Sequence, residues 1–235
     1  MKKVFLFLFF FAALASAAVG QNESDWFKTR WKAPASGTIK FPAVSNGYTI
    51  RYVKINPVTG VATGSMQTIN NATVGQVISG LTPGDTYRVD AYGSNFKRVD
   101  FSHYNNNINR MDIVAVEQWG TTVWSSMESA FSGCKNMDIT AIDRPNLTAC
   151  TNLSGMFNGC MSLVNGNSSI TNWNTANITN MSQVFAGATS FNQPLNWNTA
   201  NVGNMFYMFN GATSFNQPLN FNMAKAVTIS GMLFH

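Results

Sequence analysis

From Pro145 to His235 the chain has no aspartate and no glutamate, a single lysine, Lys225, and a single histidine, His235, at its last position. General acid–base catalysis needs a titratable group held near its substrate, and metal ligation needs clustered carboxylates, imidazoles or thiolates, so neither chemistry has candidates there. Charged residues are only 11% of the whole chain, and its formal charge of +5 includes Lys2 and Lys3 at the extreme N-terminus. That excess is too small to argue for nucleic acid as a partner. No glycine-rich phosphate loop and no serine elbow occurs. Beyond the first twenty residues no apolar run is long enough to span a bilayer.

What the N-terminus does have is a leader. Lys2 and Lys3 precede an apolar stretch from Val4 to Leu14, followed by Ala15-Ser16-Ala17, a small-residue cleavage site. Residues 1–20 are expected to be a secretory signal peptide and the protein to be exported, either free or held at the cell surface. Roughly 215 residues then remain, enough for one large domain or two small ones. Charges recur regularly from Asp25 to Arg144 and then nearly stop, which points to two regions.

The second region repeats itself. The ten residues GATSFNQPLN occur at 187–196 and again at 211–220. The pattern extends to both sides: Phe131, Phe157, Phe185, Phe209 and Leu233 are equivalent, with Met127, Leu153, Met181, Met205 and Ile229 four residues earlier. Three earlier again stand Trp124, Cys150, Ile178, Val202 and Ala226, and three after the phenylalanines stand Cys134, Cys160, Ala188 and Ala212. Apolar positions at i, i+3, i+7 and i+10 fit one face of an α-helix. Ser126, Asn152, Asn180, Asn204 and Thr228 suit N-caps, and Gly133, Gly159, Gly187 and Gly211 suit helix ends. Each unit is thus expected to be a helix of about two turns followed by an extended return segment. A helix that short needs a neighbour, so the units are expected to stack as a leucine-rich-repeat-type solenoid of 24–28-residue coils. Helices need about 10 Å of spacing and extended chains about 4.8 Å, so the array should curve. Phe191 with Phe215, Leu195 with Leu219, and Trp173 with Trp197 and Phe221 should form ladders. Asn192 with Asn216, and Asn196 with Asn220, should form amide ladders.

The stretch from Asn172 to Asn220, together with EQWGTTVWSSMESAFSGCKNM at 117–137, closely resembles the BspA-like leucine-rich-repeat surface proteins of bacteria, the DUF285 repeat family. The family's usual W-D-T-S reads Trp173-Asn174-Thr175-Ala176 here, an asparagine for the customary acid. The resemblance implies a secreted or cell-surface protein that binds an extracellular protein or glycan, with adhesion the usual proposed role, and no reaction.

The first region reads as β. Tyr48–Ile55 and Thr86–Gly93 alternate, with turns at Asn56-Pro57 and Pro83-Gly84-Asp85, and strands at this spacing suggest a small sandwich. Ile78–Gly93, with Leu81 six residues before Tyr87, resembles the E-to-F corner of fibronectin III or PKD-like domains. Strands near 96–101 and 113–116 are expected to cap the first coil. The expected fold class is therefore α+β in two domains: a β-sandwich-like domain over 21–115 and the repeat solenoid over 116–235. Met232, Leu233 and Phe234 match the middle of a unit, and more repeats or a sorting segment are expected after them.

Candidate site residues are few. Asp100 with His103, joined by Asp90 and Asp85, is the best catalytic constellation, but such residues are commonly solvated turns, so no catalytic residue, metal or cofactor is assigned and the protein is not expected to be an enzyme. Cys134 and Cys160, equivalent in successive coils, are candidates for a disulfide; the alternative is that the position merely requires a small buried side chain, as at Ala188 and Ala212. Cys150 would be left over and buried. Lys28, Arg30 and Lys32 read as a solvated strand edge, or as a contact for an acidic surface. The two best copies differ mainly at 178–186 against 202–210, so Gln183, Tyr207 and Asn210 are the candidates for partner contact. A spacer that holds another module away from the cell is the rival function, and an accessory glycan-binding part of an enzyme ranks below it.

Overall fold

In the computed structural model the described residues are 22–102 and 109–233, so the expected leader and His103 lie outside them. The alternating segments become strands, because a period of two places every second side chain on one face. In chain order they are β1 Phe27–Lys32, β2 Ile39–Lys40, β3 Tyr48–Ile55, β4 Gln67–Ala72, β5 Val77–Ile78, β6 Thr86–Tyr92, β7 Ile113–Gln118 and β8 Asp138–Ile139. Six of them form one mixed sheet in the order β4-β3-β6-β1-β7-β8, and β2 pairs with β5. All pairings are antiparallel except β7 with β8.

The inward face carries Phe27, Thr29 and Trp31 of β1, Ile50 of β3 and Val89 of β6, all buried. Thr29 is tolerated there because its hydroxyl donates to Val89 O at 2.7 Å and accepts from Trp31 Nε1 at 2.8 Å, leaving neither group unpaired. The same core continues into the repeats. Trp31 stacks on Phe101 at 5.9 Å, Phe101 lies 6.0 Å from Phe131, and Phe27 meets Trp124 edge-on at 5.1 Å. The expected capping of the first coil is made by 97–101, of which only Val99 bridges a strand-like partner: Lys97 O accepts from Ser125 N, and Phe101 N donates to Ser129 O.

The outward face of the sheet is ionic. Glu23 contacts both Lys28 and Arg51; Arg51 also holds Asp90 at 2.8 Å and lies 4.1 Å above the Trp26 ring. Arg30 pairs with Glu117. Lys28 and Arg30 therefore belong to the sheet interior, since β1 is flanked by β6 and β7, and the expected strand edge is corrected on that ground.

The α+β class with a solenoid of short helices is overturned. Among the described residues the only helical segments are two short 3₁₀ turns, Glu23–Asp25 and Ser169–Asn172, and each expected helix is a run of turns. In the first four units the positions expected to be buried are buried, Met127, Phe131, Leu153, Phe157, Met181, Phe185, Met205 and Phe209 all being 0% exposed, whereas Ile229 and Leu233 of the fifth are exposed. The backbone that carries them is different. Two residues after each methionine-type position, Ser129, Gly155, Gln183, Tyr207 and Gly231 all have positive φ, between 52° and 63°. A left-handed residue in mid-segment breaks the i→i−4 ladder, so no helix can form.

Alternate amides are freed to bond sideways. The N–H groups of Leu153, Gly155, Phe157 and Gly159 donate to the carbonyls of Asn180, Ser182, Val184 and Ala186, and those of Met181, Gln183, Phe185 and Gly187 donate to Asn204, Phe206, Met208 and Asn210, at 2.7–2.9 Å. The asparagines expected as N-caps instead close local turns: Asn152, Asn180 and Asn204 Oδ1 accept from the amide two residues on, at 2.8, 3.0 and 3.0 Å. In register with this, Phe131, Phe157, Phe185 and Phe209 stack at 5.8, 5.8 and 5.4 Å. Phe191 stacks on Phe215 and Trp173 on Trp197, each at 6.0 Å. Spacing is thus nearly equal on both sides of the repeat, and the curvature expected from helix width loses its cause.

Return segments are tied together by side chains. Thr175 and Thr199 hydroxyls, each 1% exposed, donate to Asn198 O and Asn222 O. Asn174 Oδ1 accepts from Ala176 N, a bond an aspartate would make equally well, so the asparagine removes charge without removing the turn. Asn192 accepts from Asn216 N, whereas Asn196 bonds Asn172, one coil back, rather than Asn220.

Three measurements check this description. Phe157→Ala should lower unfolding free energy by about 3–5 kcal/mol in chemical denaturation, since both neighbouring rings lose their contact. At the left-handed positions Gly155→Ala should destabilise by about 1 kcal/mol, while Gln183→Gly should be neutral or stabilising. Glu23 is held down to about 2 from an ordinary 4.5, first by its bond to Arg51, so its contribution is present above pH 4.5 and is lost as pH falls toward 2. Titration followed by NMR should show Glu23 returning toward 4.5 in Arg51→Ala.

Candidate partner-binding face

The positive-φ residues form a column along the outside of the stacked turns: Ser129, Gly155, Gln183, Tyr207 and Gly231. Because successive coils are hydrogen-bonded in register, equivalent residues stand side by side, and Gln183 and Tyr207 are neighbours across one coil interface, with Gln183 N donating to Phe206 O at 2.8 Å. Gln183 is exposed and Tyr207 half-buried. The Tyr207 ring lies over Gly231, in the space where a Cβ there would stand, so only glycine allows that placement. Phe206 lies beside it at 4.0 Å. The structure thus brings together an exposed amide and two aromatic rings where other coils place serine, glycine or, in the first coil, Glu128. Such a surface can stack on a flat apolar face and hydrogen-bond at its margin.

Asn210 sits elsewhere. It is half-buried, its carbonyl accepts from Gly187 N at 2.7 Å and its amide donates to Tyr207 O at 3.1 Å, so its backbone serves the turns. Phe206 is the member of this face that the apolar periodicity did not single out. Comparing it with its equivalents Glu128, Ser154, Ser182 and Ser230, all polar, would have found it.

The acids considered for catalysis are separated by their partners. Asp100 bonds Arg98 and Ser102, Asp90 lies under Arg51 and Arg88, and Asp85 pairs with Lys54 at the start of β6. Burial raises Asp90 above the ordinary carboxylate range, with Arg88 and Arg51 opposing. Among the described residues no group of three or more histidine, cysteine or acidic side chains could hold a metal ion.

Cys134, Cys150 and Cys160 are free thiols, each 0% exposed. Cys160 Sγ donates to Phe131 O at 3.1 Å and Cys150 Sγ to Asn152 O at 3.4 Å. Burial pushes the Cys134 and Cys160 thiols well up, which leaves them poor nucleophiles. Their column is filled by Ala188 and Ala212 in later coils, so a small side chain satisfies it.

A groove of about 740 Å³ lies between β2 and the first coil, lined by Ser36, Thr38, Asn109, Arg110 and Lys135 among others. Arg110 is committed there, its Nε bonded to Phe101 O and its stem lying against Gly133. No described helix is long and apolar enough to cross a membrane.

No curated protein and no solved structure matches the chain. The family comparison does reach the repeats: residues 125–235, which hold the stacked turns and the Tyr207 face, match the family described as DUF285, Mycoplasma protein of unknown function.

Proposed function

We propose that this protein is exported and works at a cell surface, where its repeat region binds an extracellular protein or glycan and so mediates adhesion. The observation that carries the reading is the break in repetition at the outward column. Stacking alone asks for small residues at the left-handed positions, and Ser129, Gly155 and Gly231 comply, yet Gln183 and Tyr207 depart from this together in adjacent coils. A glutamine or tyrosine at positive φ is strained by about 1 kcal/mol or more, so the pair is placed at a cost to the fold. A pure spacer would gain nothing from it.

The leader at residues 1–20 and the division near residue 115 belong to this reading. Ile113–Gln118 bonds to β1 on one side and β8 on the other, which makes the N-terminal region a foundation for the repeats. Likeness of that region to fibronectin III or PKD-like domains is supported by one bond: Tyr87 Oη accepts from Thr82 N at 3.1 Å beside buried Leu81, the arrangement of a tyrosine corner.

Residues 21–235 should be screened against extracellular matrix proteins and a glycan array, and any hit titrated against the double variant Gln183→Ser, Tyr207→Gly. Both substitutions copy residues that other coils use at this column, so stability should hold while affinity falls at least tenfold, the loss expected of an interface centre. Unchanged affinity in a folded double variant would falsify the assignment of this face.

A further inference from the structure

The return segments carry a second regular surface. In 172–177 and 196–201 burial alternates: Trp173 and Thr175, like Trp197 and Thr199, face inward, while Asn172, Asn174 and Asn177, like Asn196, Asn198 and Asn201, are exposed. Asn220 and Asn222 continue two of these columns in the next coil and are exposed as well. The amides are held in place. Asn174, Asn198 and Asn222 Oδ1 accept from the backbone N–H groups of Ala176, Ala200 and Ala224 at 3.2, 3.0 and 2.9 Å. Asn196 Nδ2 donates to Asn172 Oδ1 at 3.0 Å, and Asn177 and Asn201 Nδ2 donate to Thr148 O and Ala176 O at 2.8 and 2.9 Å. An aspartate would close the turn at Asn174 equally well. What the asparagine adds is Nδ2, and in Asn174, Asn198 and Asn222 that group has no acceptor among the described residues. Oriented donors therefore stand in a column, at a step marked by the rings beneath, since Trp173 and Trp197 stack 6.0 Å apart.

We propose that this face binds a neutral, hydroxyl-rich polysaccharide, an extended β-1,4-linked chain lying along the repeat axis with its sugars in step with the coils. The face has no acid, and its one cation, Lys225, is engaged by Asn201 Oδ1 at 2.7 Å, so nothing there favours a charged ligand. In 172–177 and 196–201 no large apolar side chain is exposed, so the face lacks the apolar centre that a protein interface buries. Sugar hydroxyls both accept and donate, so they can take the Nδ2 hydrogens and give one to Asn177 Oδ1. The coils repeat at a step comparable to the advance per sugar of an extended β-1,4-linked chain, whereas an α-1,4-linked chain coils away from such a row. Because the amides are already fixed, little side-chain freedom is lost on binding. This face shares no residue with the Gln183 and Tyr207 column, so the two readings stand or fall separately.

The test titrates isotope-labelled protein, residues 21–235, with cellohexaose, with chitohexaose and, as the coiled control, with maltohexaose. Side-chain amide signals of Asn174, Asn198 and Asn222 should shift with one or both β-1,4-linked hexamers and stay put with maltohexaose. Which hexamer binds tells a plain glucan from its N-acetylated form. Affinity should fall about tenfold or more in the triple variant Asn174→Ser, Asn198→Ser, Asn222→Ser, whose hydroxyls can still close the turns but lack Nδ2. If the triple variant does not fold, Asn198→Ser alone should lose about threefold or more. No shift with either β-1,4-linked hexamer overturns the proposal, and equal shifts with maltohexaose overturn the match of spacing. Shifts confined to other residues, or unchanged affinity in a folded variant, overturn the choice of face.

Discussion

A backbone amide taken out of water must find an acceptor, and in the turns of the repeat region alternate amides find theirs in the neighbouring coil. Each coil points alternate N–H groups forward and receives the previous coil's N–H groups on alternate carbonyls. No coil can satisfy itself, so the region is ordered only as a series with its members in register. The ring stacks at 5.4–6.0 Å follow from the same constraint, since equivalent side chains must stand at the spacing of the backbones that carry them. Asparagine and threonine dominate because every return segment also needs local acceptors and short donors, and those residues supply them without charge.

A series of this kind needs a beginning. The N-terminal sheet provides it, through a continuous aromatic core from Trp31 and Phe101 to Phe131, and through β7, which bonds to β1 and to β8. The charges of the chain collect on the opposite face of that sheet, where Arg51 bridges Glu23 and Asp90. That segregation explains the composition. The sheet has one dry face and one wet face and can carry ion pairs on the wet one, whereas most repeat side chains face either the stack interior or a neighbouring coil, where an unpaired charge is costly.

The same logic separates residues that serve the stack from those free to vary. Column positions at the core admit only substitutions of similar size, which is why Cys134 and Cys160 are followed by alanines. On the outward column side chains are limited by the left-handed backbone and by the next coil, and Tyr207 is accommodated only because Gly231 leaves room for its ring. Binding chemistry can be added there without disturbing the ladder, because at this column the bonds between coils use backbone atoms.

By itself the sequence determined the period, the buried positions, the partners in the phenylalanine and tryptophan ladders, the strands Tyr48–Ile55 and Thr86–Tyr92, and the absence of acids from the last ninety or so residues. It did so because burial depends on which side chains recur, and recurrence is visible in one dimension. The conformation that links those positions was decided by tertiary structure. Apolar residues at i, i+3, i+7 and i+10 fit an α-helix, but a left-handed residue at the centre of each unit places the same side chains inward while turning alternate amides toward the next coil. Of the five residues at that centre only Gly155 and Gly231 are glycines; Ser129, Gln183 and Tyr207 give no local sign of positive φ. Their backbone is held there by hydrogen bonds to residues some two dozen positions away, and no local pattern of side chains records bonds made by amides alone.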